Sequence, residues 1–279
     1  MYRNAGKRLE RGFGRKMEKL VLNGGREGKI VREKDLVVRP GNIWTPYVHS
    51  FLNFLKEKGM ENIPVPYGLR EDGKEMVSFV EGETFHEGLP EALFNDTVLS
   101  EAADLLHQYH EAGKAYIERL SGVEIWMLPV RSPKEVMCHG DFAPYNVTFV
   151  GEHVHGIIDF DTVHPGPRLW DVAYAVYRWV PFMAPSNPES REDLAGQLRR
   201  LKLFSDRYGL SRSEKSRLPG VMIERLESLI SYMRKEADNG NEDMLRNIKE
   251  GHLALYQNDI LYIRENEENI RADLLSTGN

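Results

Sequence analysis

The chain has 279 residues, 41% hydrophobic and 29% charged, with a net charge of −6, an ordinary composition for a globular protein of one large or two modest domains. No uninterrupted apolar run approaches the roughly 18 residues of a transmembrane helix, and the first ten residues lack the apolar stretch of a secretory signal. The single cysteine, Cys138, excludes an internal disulfide and a cysteine metal cluster, so the expected setting is a reducing cytoplasm, away from the membrane.

In chain order, the basic stretch from Lys7 to Lys19 comes first. Its acidic interruptions and scarce aromatics suit a solvated tail rather than a nucleic-acid-binding arm. Residues 19–22, 29–32 and 35–39 read as short strands. Gly24, Gly25 and Gly28 lie in the first turn, where glycine lets backbone N–H groups approach phosphate closely. The stretch is not a Walker A loop, because Ile30 replaces the Ser/Thr and a strand follows. Thr45 is the expected N-cap of a helix with Pro46 at its first position. Val48, Phe51, Leu52 and Leu55 form its apolar stripe, and Gly59 ends it. A strand over residues 75–80 follows.

Residues 97–120 read as a helix. A hairpin follows, with strands at 147–150 and 154–158 turning at Gly151-Glu152. From Trp170 onward the pattern is helical over roughly 170–180, 190–209, 213–238 and 241–270. Trp170, Tyr174 and Tyr177 are spaced as the core face of the first of these. Charge is uneven: residues 1–84 carry +4 and residues 85–279 carry −10. A basic first part suits a polyphosphate, and an acidic second part suits an acceptor bearing an amine.

Residues 139–161 are the most informative. Asp141 is followed five residues later by Asn146, and thirteen beyond that by Asp159. Phosphoryl transfer needs a carboxylate to orient and deprotonate the attacking hydroxyl. It also needs oxygen ligands to hold Mg²⁺ on the nucleotide phosphates. Asp141 suits the first task, and Asn146 with Asp159 the second. The hairpin sets Asn146 and Asp159 at neighbouring strand ends, within reach of one metal. His-x-Asp-x4-Asn is the spacing of the catalytic loop in the protein-kinase fold.

Three stretches, Cys138-His-Gly-Asp-Phe-Ala-Pro-Tyr-Asn146, Ile158-Asp-Phe-Asp161 and Pro165-Gly-Pro-Arg-Leu-Trp-Asp-Val-Ala-Tyr174, together resemble the aminoglycoside phosphotransferase and choline kinase family. The likeness is densest over 136–180, weaker over 20–112, and fades beyond about 185. It implies a two-lobed, kinase-like α+β fold: a small, mainly β nucleotide-binding lobe over residues 1–82 and a larger, mainly helical catalytic and acceptor-binding lobe over 83–279. It also implies transfer of the γ-phosphoryl of ATP or GTP, with Mg²⁺, to a hydroxyl of a small molecule.

By the same resemblance, Asp141 is the catalytic base, Asn146 and Asp159 are metal ligands, and His139 and buried Asp171 support the loop. Arg39 stands where a kinase carries its phosphate-binding lysine, and Gly24 and Gly25 would cover the phosphates. The nucleotide base would lie near the backbone of Ser78, Phe79 and Val80. His49 falls where a kinase helix supplies the lysine's glutamate partner, so the chain departs from the Lys–Glu pair. That departure motivates the alternative, a nucleotide-binding protein with little transferase activity that acts as a sensor or partner. The role of Asp161, the acceptor's identity and the oligomeric state stay open.

Overall fold

The computed structural model of the chain describes residues 19–22 and 30–276. The first part is a five-stranded antiparallel sheet of β1 (Lys19–Val21), β2 (Val31–Glu33), β3 (Leu36–Pro40), β4 (Pro66–Leu69) and β5 (Lys74–Ser78). Its spatial order is β1-β2-β3-β5-β4. Lys34 and Asp35 close the β2–β3 hairpin with Lys34 at φ 60°, the left-handed geometry a two-residue hairpin demands. Sequence reasoning missed β4. Its proline and glycine spoil the strand pattern, yet an edge strand tolerates Pro66 at its first position.

Between β3 and β4 runs α1 (Thr45–Glu57). The expected N-cap is displaced by one residue. Trp44 is the cap, and Thr45 Oγ1 instead accepts the N–H of Asn42 at 2.9 Å, closing the turn before the helix. Gly59 ends the helix at φ 86°; Met60 N–H reaches Leu55 O and Gly59 N–H reaches Lys56 O, the paired bonds of a Schellman stop. The stripe of Val48, Phe51, Leu52 and Leu55 is buried.

The second part is mainly helical. It starts with α2 (Asp96–Gly113), capped by Asn95. Four short strands flank the positions of Asp141, Asn146 and Asp159: β6 (Val136–Cys138), β7 (Val147–Val150), β8 (His153–Ile157) and β9 (His164–Gly166). The pairs are β6 with β9 and β7 with β8. Helices α3 (Arg168–Trp179), α4 (Leu194–Tyr208), α5 (Arg212–Asp238), α6 (Glu242–Lys249), α7 (His252–Glu265) and α8 (Glu267–Leu275) follow. The single helix expected over 241–270 is broken at Gly251, whose φ of 92° no right-handed helix contains, and its remainder is divided again at Asn266, between α7 and α8.

One apolar core runs through both parts, from Phe51 and Leu55 of α1, through Leu106 and Tyr109 of α2, to Trp179 of α3 and Met222 of α5. The short strands and the loops between them therefore rest on packed helices rather than on mobile chain. Among the described residues no helix is long and apolar enough to cross a membrane.

Candidate active site

The chain leaves β6 at Cys138 and turns sharply at Gly140, where φ is 82° and a Cβ would meet Thr162 O at 2.5 Å. Only glycine fits there. Asp171, fully buried in the first turn of α3, holds this turn from beneath. It accepts the N–H of His139 at 2.6 Å and that of Gly140 at 2.8 Å, and His110 Nε2 donates to it at 3.0 Å. Burial alone would push the Asp171 carboxyl up. The His110 hydrogen bond, the two histidines and the Gly140 N–H outweigh it and bring the carboxyl down to about 2.

His139 is buried as well. Its Nε2 donates to Ile158 O at 3.0 Å and its ring meets Phe160 edge-on at 5.1 Å. The Nε2–H tautomer leaves Nδ1 as an acceptor facing the Asp141 N–H at 3.4 Å. Thr162 Oγ1 donates to His139 O at 2.7 Å, and Arg225 of α5 donates to Gly140 O at 2.7 Å. His139 and Asp171 thus contact the loop from its core side.

The Asp141 carboxylate faces outward, half-buried. Tyr145 Oη donates to one oxygen at 2.7 Å and Asn146 Nδ2 to the other at 2.9 Å. Burial pushes the Asp141 carboxyl up from the ordinary carboxylate range. The Tyr145 hydrogen bond, foremost, and the nearby His139 ring oppose the rise, and the Asp159 charge adds to it. Sequence reasoning missed Tyr145, although it stands inside the spacing it quoted.

Asn146 enters β7 as Asp159 leaves β8, and Ile158 N–H donates to Asn146 O at 3.0 Å, so the two residues sit side by side. Asp159 lies in the left-handed region at φ 58°, an uncommon conformation for a residue other than glycine. The geometry brings Arg39 here from the other part of the molecule. Its Nη1 reaches Asp159 at 2.7 Å, its Nη2 Asp161 at 3.0 Å, and its Nε Glu75 at 2.5 Å.

Glu75 is the surprise. The β3–β5 register sets it directly across from Arg39, and its other oxygen accepts from His49 Nε2 at 2.8 Å. The acid missing from the helix is therefore supplied by the neighbouring strand, with His49 as its second partner. Burial pulls the Arg39 pKa down, but Asp161, Asp159 and Glu75 together raise it above its ordinary value. Glu75 is lowered: the His49 bond and the Arg39 charge outweigh its burial. Cross-strand pairing was the signal that could have found it.

Gly24 and Gly25 lie outside the described residues. At the other end of the sheet, Ser78 N–H donates to Val65 O at 2.8 Å and Phe79 N–H to Asp35 O at 2.7 Å. The Arg32 guanidinium covers the Phe79 ring at 3.6 Å. Opposite this edge, beyond Asp141, lies a cavity of about 260 Å³. Trp170 and Tyr174, which the spacing placed in a helix core, form part of its wall together with Tyr145, Arg131 and Arg225.

With this geometry in view, comparison with known proteins is informative. Residues 86–207 match the phosphotransferase enzyme family. The match contains the catalytic-loop spacing and Asp171 but neither Arg39 nor Arg225, and it agrees with the resemblance read from the sequence. The trifolitoxin immunity protein of Rhizobium leguminosarum bv. trifolii is 25% identical over 206 residues, covering 71% of this chain and 77% of that protein. A choline/ethanolamine kinase family protein from Mesorhizobium loti superposes with a TM-score of 0.61 at 15% identity, over 94% of both chains. Amicoumacin kinase hAmiN, solved with AMP-PNP, Ca²⁺ and Ami, gives 0.59 at 12% identity, over 90% of this chain and 88% of that one. The gentamicin complex of APH(2")-IIa gives 0.55 at 14% identity, over 88% and 91%. The fold is two-lobed and kinase-like, with a small β-rich part and a larger helical part.

Proposed function

We propose that this protein is a small-molecule phosphotransferase that moves the γ-phosphoryl of ATP or GTP to a substrate hydroxyl, with Mg²⁺. The observation that carries the reading is the Asp141 carboxylate. Both its oxygens are oriented by neighbours, Tyr145 and Asn146, and it stands in the wall of a cavity of about 260 Å³. The match to the phosphotransferase family supports it.

An acceptor hydroxyl in the cavity gives its proton to Asp141 as its oxygen bonds the γ-phosphorus. The bond from that phosphorus to the β–γ bridging oxygen breaks, and a nucleoside diphosphate leaves. The upward push on the Asp141 carboxyl makes it a better base than an exposed aspartate. Tyr145 aligns the carboxylate, and Asp171 and His139 keep the loop backbone in place beneath it.

Asn146 and Asp159 fit Mg²⁺: the Asn146 amide nitrogen is already engaged by Asp141, which leaves its oxygen, and hard oxygen donors suit that ion. When bound, the ion would offset charge on the phosphates. Arg39 reaches the same place from β3 and would grip phosphate, with Glu75 and His49 holding its stem end. The nucleotide base would lie near the backbone of Ser78, Phe79 and Val80, where the N–H groups of Ser78 and Phe79 are already used within the protein. The nucleotide would then lie between a lobe of residues 1–82 and one of 83–279.

A second reading has an observation of its own. Arg39 is engaged by three carboxylates, and one relative is named for immunity rather than for a reaction. A nucleotide-binding protein with little transferase activity, acting as a sensor or partner, would have these features. Thermal shift with ATP and GTP, with and without Mg²⁺, followed by a nucleotide-consumption screen over hydroxyl compounds, separates the two. Stabilisation with turnover is expected. Stabilisation with no turnover over a broad screen supports the second reading, and no stabilisation by any nucleotide defeats both.

A further inference from the structure

We infer that the acceptor carries an anionic group, a carboxylate or a phosphate, seated between Arg131 and Arg225 in the cavity beside Asp141. The inference deepens the proposed function and rests on it for the identity of the cavity as an acceptor site.

The two arginines lie against the same ring. The Arg131 guanidinium stacks on Trp170 at 3.4 Å, and that of Arg225 stands 5.5 Å from Trp170 and 4.3 Å from Tyr174. Arg225 is only 7% exposed. One of its nitrogens donates to Gly140 O, while its buried Nε has no partner. Arg131 donates to Ser228 Oγ at 2.8 Å. Neither forms an ion pair with any described residue.

Among the groups lining the cavity, Asp141 is the sole carboxylate, and its part in the reaction is to receive a proton. His164, also in the wall, is pushed down to about 4, chiefly by burial, and is neutral at physiological pH. Burial and the Arg225 charge both press the Arg131 pKa below its ordinary value and outweigh the opposing pull of Glu224, which forms no ion pair with it. Buried unpaired charge is costly, and guanidinium groups meet carboxylate and phosphate with paired, charge-assisted hydrogen bonds. An anion bound here supplies what the protein itself does not.

This reverses the amine preference expected from the −10 of residues 85–279. Charges scattered over a surface are screened beyond about 10 Å at ordinary salt, whereas two guanidiniums lining one cavity act on its occupant at contact distance. The volume of about 260 Å³ lies near the lower end of ligand pockets, roughly 300 Å³. A compact acceptor is favoured over a multi-ring one, with an apolar or aromatic body against Trp170, Tyr232 and Met127.

The test is a panel of compact hydroxy compounds in matched sets: the free acid, its amide, the corresponding amine and the monophosphate. Binding is measured by calorimetry at two salt concentrations, and phosphoryl transfer from ATP is measured in parallel. Acid or monophosphate members should bind about tenfold or more tightly than their amides, by a margin that narrows in high salt, and which of the two binds better tells carboxylate from phosphate. Arg131→Gln should erase the margin at an unchanged melting temperature. If that variant does not fold, Arg131→Lys should narrow the margin, because it keeps the charge and loses the paired geometry. Preference for amines or amides, no binding by any acid or monophosphate, or a margin that survives in a folded variant would overturn the inference. An acid that binds in this way but is never phosphorylated would instead overturn the transferase reading, and an amine phosphorylated in preference would overturn the anion site alone.

Discussion

Two buried cationic centres flank Asp141, and they keep opposite company. Arg39 is 8% exposed and Arg225 7%, so burial does not distinguish them. Arg39 is met by Glu75, Asp159 and Asp161. Arg225 is met by a second arginine, two aromatic rings and a backbone carbonyl, but no carboxylate. A paired buried charge joins pieces of a structure: Arg39 ties the sheet to the loop after β8. One without a carboxylate is a cost to the fold that rings and carbonyls offset in part and a ligand of opposite sign offsets further. The first centre reads as architecture at the phosphate end, and the second as recognition at the acceptor end.

The largest effect should come at the point between them. Asp141→Ala should lower single-turnover phosphoryl transfer by roughly 10²–10⁴, the usual worth of a positioned acid or base. Mg-ATP affinity and anion affinity should each stay within a few-fold. If either binding step collapses with the rate, Asp141 is not separable from the centres on its two sides.

A stability comparison comes next. Glu75→Ala strips Arg39 and His49 of their shared carboxylate and should cost about 2 kcal/mol in denaturant unfolding, less than a fully broken buried pair because Asp159 and Asp161 remain. Arg131→Gln should change stability by less than about 1 kcal/mol, since it removes one of two like charges. Equal losses in the two variants would erase the distinction between paired and unpaired centres.

Arg39→Ala should weaken the triphosphate about tenfold while leaving adenosine nearly unchanged, because the lost contact is a charge-assisted bond to phosphate. Calorimetric titration of both ligands decides it; equal losses would assign Arg39 to folding alone. The smallest effect should be that of Tyr145→Phe. The Tyr145 hydrogen bond favours the charged Asp141 carboxylate. Its loss should raise that pKa further and move the acid limb of kcat/KM to higher pH, by about one unit or less. A limb that stays put, or moves down, would mean that Asp141 does not set it.

The grouping of Asp141, Asn146 and Asp159 was legible in the sequence because it is local. Asp141, Asn146 and Asp159 fall within one loop and one hairpin, whose geometry follows from turn residues and strand alternation alone. Asp171 was reachable only by resemblance. Glu75 was hidden because it lies 36 residues from Arg39, and their meeting depends on a strand register that periodicity does not specify. The cavity beside Asp141 was hidden more deeply. Residues 127–131, the start of α3 and residues 225–244 supply its wall, and a helical pattern reports that Trp170 and Tyr174 are buried without saying against what. The summed charge of residues 85–279 points to a cationic acceptor, opposite in sign to the group inferred for the cavity. Composition and spacing determine which residues leave water and which can share a turn. Which buried charges find partners is decided only when distant segments pack, because charges in a closed site act over a few ångströms.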